Sequence, residues 1–170
     1  MLTIIAISAL IGALIILFAL SAIDLKVGLL PNEFVLGLLA LGFVFHLSTL
    51  YTYLSIEQML LGGFIGAAVL YVIRGLADKF YAEDSLGLGD VKLMGAAGIW
   101  LGPYYILIAL TAGALAGLAH GIGLALYRTL KTKSKLQLAS LSLPAGPGFA
   151  IGIIIAALYA FRTFPAMFLS

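Results

Sequence analysis

The stretch LTIIAISALIGALIILFALSAI, residues 2–23, carries no charged side chain, and Asp24 and Lys26 close it. At about 1.5 Å per residue, a helix of this length covers roughly 33 Å, the thickness of a bilayer's hydrocarbon core. The segment therefore reads as a membrane-crossing helix. Ala19-Leu20-Ser21-Ala22 offers the small residues of a signal-peptide cleavage site. A basic start is missing, however, and the apolar run is too long for a secretory leader, so the spanning reading is preferred.

Outward from this segment the composition is of one kind. Of 170 residues, 64% are hydrophobic and 9% charged, with a mean hydropathy of +1.21. A water-soluble domain needs about a quarter of its residues charged, so the solvent of this fold is lipid. Further apolar runs follow at residues 34–54, 59–76, 91–101, 104–127 and 149–161, with Gly102-Pro103 dividing the fourth from the fifth. The expected fold is an all-α membrane protein of about six transmembrane helices, residues 1–170 forming one integral-membrane domain. Cysteine is absent, which excludes disulfides, thiolate metal sites and thiol nucleophiles. Two histidines leave little for metal chemistry, so neither a metal nor a cofactor is expected.

A net charge of +2 in a soluble chain would raise the question of an anionic partner, but here the basic residues report orientation. Lys26, then Arg74, Lys79 and Lys92, then Arg128, Lys131, Lys133 and Lys135 fall in alternate loops, eight of the nine basic residues on one side. By the positive-inside rule that side is cytoplasmic, with both termini outside. A multi-pass protein of the cytoplasmic (inner) membrane is implied, touching lipid and not nucleic acid. The basic loop at residues 128–135 is read as a contact for anionic headgroups.

Carboxylates at the membrane edge are costly enough to count as functional candidates. Asp24 ends the first span. Asp90 opens the fourth, which is only about 16 Å long to Leu101 and so draws Asp90 into the membrane if its far end reaches the other side. Gly87 and Gly89 beside it allow unwound backbone and close approach of another segment. Two aspartates from distant helices can share a proton, one acting as base toward water and the other as acid toward a carbonyl. An end cap or interfacial anchor is the structural alternative for each. A proton-coupled small transporter is a second functional use of the same pair, although no internal repeat is visible. A purely structural subunit of a secretion or pilus assembly is a third reading.

Gly87-Leu88-Gly89-Asp90-Val91-Lys92-Leu93-Met94, running on to Gly95-Ala96-Ala97-Gly98 and Trp100-Leu101-Gly102, resembles the GxGD-x-K-L block of the type IV prepilin peptidases, which are membrane aspartic proteases. Asp24-Leu25-Lys26 with Leu30-Pro31-Asn32 is similar to that family's first motif. Leu143-Pro144-Ala145-Gly146-Pro147-Gly148-Phe149 resembles its late Pro-x-Gly-Pro segment, with Ala145 and Gly148 where bulkier residues are common. The three blocks stand in family order and cover nearly the whole chain. The resemblance implies catalytic roles for Asp24 and Asp90, a backbone role for Gly87 and Gly89, and supporting places for Pro31, Asn32 and Lys92. It also implies a prepilin or pseudopilin substrate with a short basic leader and a hydrophobic helix, cut at their junction on the cytoplasmic face. Many members carry a further N-terminal region, often with cysteine pairs, linked to N-methylation. This sequence shows neither, so peptidase activity without N-methyltransferase activity is expected, as in short members serving tight-adherence or similar pili. Presenilin-type proteases share GxGD but are larger, and Ile23 stands where they have Tyr before the aspartate.

The remaining polar residues have quieter readings. His46 and His120 are expected in helix packing or at the interface. Asp78, Glu83 and Asp84 are expected as solvated loop charges, with attraction of a basic leader as the alternative, and the loop at residues 78–89 is a candidate gate over the aspartates. Tyr51, Tyr53, Trp100, Tyr104 and Tyr105 are expected as an outer aromatic belt, and Gly113 and Gly117 as a close helix contact.

Overall fold

A computed structural model of the chain describes residues 1–81, 87–132 and 145–164. The described residues form five helices: α1 (Leu2–Val27), α2 (Asn32–Ser48), α3 (Ile56–Tyr81), α4 (Leu88–Thr132) and α5 (Gly146–Ala160). Inside α4, Gly102 adopts φ 70° and ψ −179° with Pro103 next, so the helix breaks into two arms where the sequence separates the fourth and fifth apolar runs. Among the described residues, three stretches are long and apolar enough to cross a bilayer: Leu2–Val27, Ile56–Lys79 and Leu88–Gly123. The 17 residues of α2 and 15 of α5 give lengths of roughly 25 and 22 Å.

Several helix boundaries have a local cause. Past Asp24, α1 runs one further turn and closes on Gly28, whose left-handed φ of 67° lets its N–H reach the Asp24 carbonyl at 2.8 Å. The expected second span to residue 54 is helical only through Ser48. There the Ser48 and Thr49 hydroxyls donate to the Phe45 carbonyl at 2.8 and 3.1 Å, and Leu50 and Tyr51 turn to positive φ. A reciprocal capping box opens α3: the Ser55 N–H donates to Gln58 Oε1 at 3.0 Å and the Gln58 N–H to Ser55 Oγ at 3.3 Å. That helix continues past residue 76, so Asp78 is a helical residue paired with Arg74 at 3.4 Å, not a loop charge. Residues 128–132 of the expected basic loop likewise continue α4, and its remaining residues, 133–135, lie outside the described residues.

Packing places α4 at the centre, against α3, α5 and α2, with α1 covering α2 and α5. The α3–α4 contact is made by backbone. A Cβ on Gly62 would collide with the Gly98 carbonyl, and one on Gly98 with the Gly62 carbonyl. Lipid supplies no hydrophobic drive between helices, so dispersion contact at this range does the joining. Gly113 serves α5 in the same way: a Cβ on Gly148 would lie 2.9 Å from the Gly113 oxygen and 3.0 Å from the Gly117 nitrogen. The small residue at position 148 thus has a packing reason, and the expected close contact at Gly113 and Gly117 is present.

Trp100 does not join an outer belt. It is buried, its indole N–H donates to the Leu38 carbonyl at 2.8 Å, and its ring lies 5.2 Å from that of Phe45. Tyr53 also faces inward, its ring stacked 6.0 Å from Phe45. A membrane-edge position is expected for aromatics with a wet end, but here the buried Leu38 carbonyl satisfies the indole instead. Outside this core, large apolar side chains such as Ile4, Phe18, Phe64, Leu115 and Leu158 are exposed on every long helix. Such a surface suits lipid and not water.

Candidate active site

On α1 the buried positions are Ala6, Ala9, Ala13, Leu17, Leu20 and Asp24. Their three- and four-residue spacing is one face of a helix, and Asp24 is the last step of that face. It points into the bundle because the residues before it do. Asp90 arrives from the first turn of α4, also buried, with its N–H on the Gly87 carbonyl at 3.1 Å. The two carboxylates are close enough for their charges to interact.

A third element completes the arrangement. The Gly146 N–H, at the N-terminus of α5, donates to Asp24 Oδ2 at 2.8 Å, where a helix end presents unsatisfied donors and positive potential to an anion. A Cβ at position 146 would sit 2.6 Å from that same oxygen, so any larger residue there must displace the carboxylate. Pro147 at the helix start sets the first turn without needing a donor of its own. Asp90 Oδ1, by contrast, is buried with no hydrogen-bond partner; among the described residues His46 Nδ1 is the other such atom. A buried carboxylate oxygen without a partner is costly to keep ionised.

The supporting residues sit around this pair. Gly87 is exposed and precedes α4, while Gly89 is helical, not unwound as expected. Close approach at Gly89 is real: a Cβ there would lie 2.9 Å from Leu30 Cβ. Pro31, with φ −61° and ψ 133°, leads the chain extended into α2. Lys92 Nζ donates to Asn32 Oδ1 at 2.9 Å. Leu30-Pro31-Asn32 is thus locked to the start of α4 twice, by packing on Gly89 and by the Lys92 bond. The sequence offers no role for Lys92, and the structure supplies this one. Gly146 was not singled out as a site residue by sequence reasoning, although the glycine before Pro147 within residues 143–149 was the available signal. Pro144, Glu83 and Asp84 lie outside the described residues, as does the middle of the candidate gate, residues 82–86.

His46 is fully buried, with Nε2 at 3.1 Å from the Trp100 carbonyl, and His120 is exposed. Neither approaches a metal set, and among the described residues no group of three or more His, Cys, Asp or Glu could hold an ion.

Fold and site together define a helical membrane protein with a carboxylate pair held among three helix ends. The chain belongs to the Type IV leader peptidase family, whose model matches residues 4–122. It is 35% identical over 151 residues to the prepilin leader peptidase/N-methyltransferase of Pectobacterium carotovorum subsp. carotovorum, covering 85% of this chain and 50% of that protein. The protein of the same name in Aeromonas salmonicida (strain A449) is 35% identical over 144 residues, 85% of this chain and 46% of its own length. In Burkholderia pseudomallei (strain 1026b) the relative is 38% identical over 106 residues, 60% of this chain and 34% of its length. The chain therefore spans about half the length, or less, of these relatives. No solved structure matches it significantly.

Proposed function

We propose that this chain is an aspartic endopeptidase that removes the leader from prepilin-like or pseudopilin precursors, with Asp24 and Asp90 as its catalytic pair. The observation that carries the reading is the meeting of two buried carboxylates from α1 and α4 beside the N-terminus of α5. Family membership and the relatives' names support the reaction and the substrate class. Methyl transfer forms no part of the proposal.

In the proposed reaction the pair holds one proton between them. One carboxylate takes a proton from water as its oxygen attacks the scissile carbonyl carbon, and the other gives its proton to the carbonyl oxygen. The tetrahedral intermediate then collapses: the C–N bond breaks, the leaving amine takes the proton from one carboxylate, and a hydroxyl of the intermediate returns its proton to the other, restoring the singly protonated pair. Gly146 holds one oxygen of Asp24 throughout, leaving the other edge of that carboxylate and Asp90 Oδ1 to face the reactants.

The same reading places six crossings in the cytoplasmic membrane, counting the two arms of α4 separately, with both termini outside. Eight of nine basic residues on one side support it. The pair then lies at the cytoplasmic face, where a basic leader would remain. The test is cleavage of a prepilin-like precursor by wild type, Asp24→Asn and Asp90→Asn in liposomes. Cleavage by wild type alone is expected; cleavage by either folded variant would overturn the assignment of the pair.

A further inference from the structure

An apolar groove of about 620 Å³ runs along the outer face of the bundle between α1 and α5. Leu14, Phe18 and Ser21 form one wall and Pro147, Ile151 and Ile154 the other. Leu14 to Ser21 is seven residues of helix, roughly 10 Å. One end of the groove lies beside the Asp24 site without being lined by either aspartate: Ser21 is one turn before Asp24, and Pro147 follows the glycine that bonds Asp24. Next to it a half-open apolar pocket of about 330 Å³ shares Leu14, Leu17 and Ile154 with it and includes Ala97 and Leu101. At 100° per residue those two α4 positions share the face of Asp90 to within roughly 20°.

A second groove, of about 540 Å³, lies between α2 and α3 and contains Lys92 and Ile99. On α4 these residues stand roughly 160° and 180° around the helix from Asp90. A segment seated there would have α4 between itself and the carboxylates. Of these two grooves, the one between α1 and α5 is on the carboxylates' side of α4.

We infer that the α1–α5 groove is the dock for the hydrophobic helix of the substrate, seating the start of that helix beside Asp24. This rests on the peptidase reading. The groove suits the occupant: its walls are apolar along their length, its one hydroxyl, Ser21, is already bonded to the Leu17 carbonyl at 2.9 Å, and Phe18 is 79% exposed. A precursor cut where its leader joins its helix needs the helix to leave the reacting carbonyl along the membrane, and the groove leads that way. The helix would sit antiparallel to α1, between it and α5.

Two measurements test this. A photo-cross-linking amino acid is placed at position 18 or 151, and for comparison at 36 or 64 in the second groove, in an Asp90→Asn background that retains uncleaved precursor. Adducts from 18 and 151 to the first turns of the precursor's helix are expected, with few from 36 and 64. Separately, cleavage of the helix-bearing precursor is compared with cleavage of a soluble peptide spanning only the junction. The ratio of the two rates should fall by about tenfold in Ile151→Trp, the scale of a lost packing contact in a specificity pocket, and stay unchanged in Phe64→Trp. Adducts chiefly from 36 and 64, or from 18 and 151 only to lipid or to a second copy of the chain, would overturn the groove assignment. A wild type that cleaves both substrates with an unmoved ratio in Ile151→Trp would do the same while leaving the peptidase reading intact. Failure of the wild type on both substrates would remove that reading, and the groove with it.

Discussion

Among the contacts in this bundle that depend on a missing side chain, two serve opposite purposes. Between α3 and α4, Gly62 and Gly98 let backbone meet backbone, and the gain is dispersion contact over a long seam. Between α1 and α5, Gly146 leaves room for a carboxylate, and the gain is one hydrogen bond from a helix N-terminus to Asp24. The first contact holds the fold together and involves no titratable group. The second fixes the position of a reactive one. A glycine in a membrane helix is thus neither packing nor function by type; what its absent Cβ would strike decides which.

If that contrast is right, substitutions should separate activity from stability. The largest effect is expected at the carboxylates: Asp24→Asn and Asp90→Asn should each lower the cleavage rate by about 10³-fold or more, with thermal unfolding in detergent close to wild type. A variant that unfolds early instead would make that aspartate a structural residue. Next comes Gly146→Ala, whose methyl must displace the Asp24 carboxylate. A misplacement of this size costs on the order of 100-fold in rate, with about 1 kcal/mol of stability lost along with the hydrogen bond. Gly98→Ala should do the reverse, destabilising by about 1–3 kcal/mol through overpacking while the folded fraction cleaves at nearly the wild-type rate. Equal behaviour of the two alanine variants in both assays would dissolve the distinction.

The smallest effect is expected at the Lys92 and Asn32 bond, which is exposed. Lys92→Met and Asn32→Ala should each change stability by less than about 1 kcal/mol, and the double variant by less than their sum, since both remove one interaction. Additive losses would show that the two side chains act separately.

How much of this was legible follows from what a sequence can average. Asp24 and Asp90 stood out because a charge in an apolar run is rare, and the α4 break because Gly102-Pro103 is a local signal. The small inward residues Ala6, Ala9 and Ala13 also have a helical spacing that leads to Asp24. Trp100 was misplaced, since an indole suits a membrane edge and a buried carbonyl equally well, and only packing supplies the Leu38 oxygen. The extent of α2 was overestimated because apolarity persists past Ser48 while the backbone turns.

The sequence by itself determined an all-helical apolar chain, its break at Gly102 and the two carboxylates at helix ends. Tertiary structure alone decided that Gly146, 122 residues from Asp24, bonds it, and that Lys92 reaches Asn32 across 60. It also decided that the groove beside Asp24 lies between α1 and α5. The physical reason is the solvent. In water, hydrophobic periodicity marks the inward face of a helix, but a helix surrounded by lipid is apolar on all sides, so which faces meet is left to the shapes of the side chains.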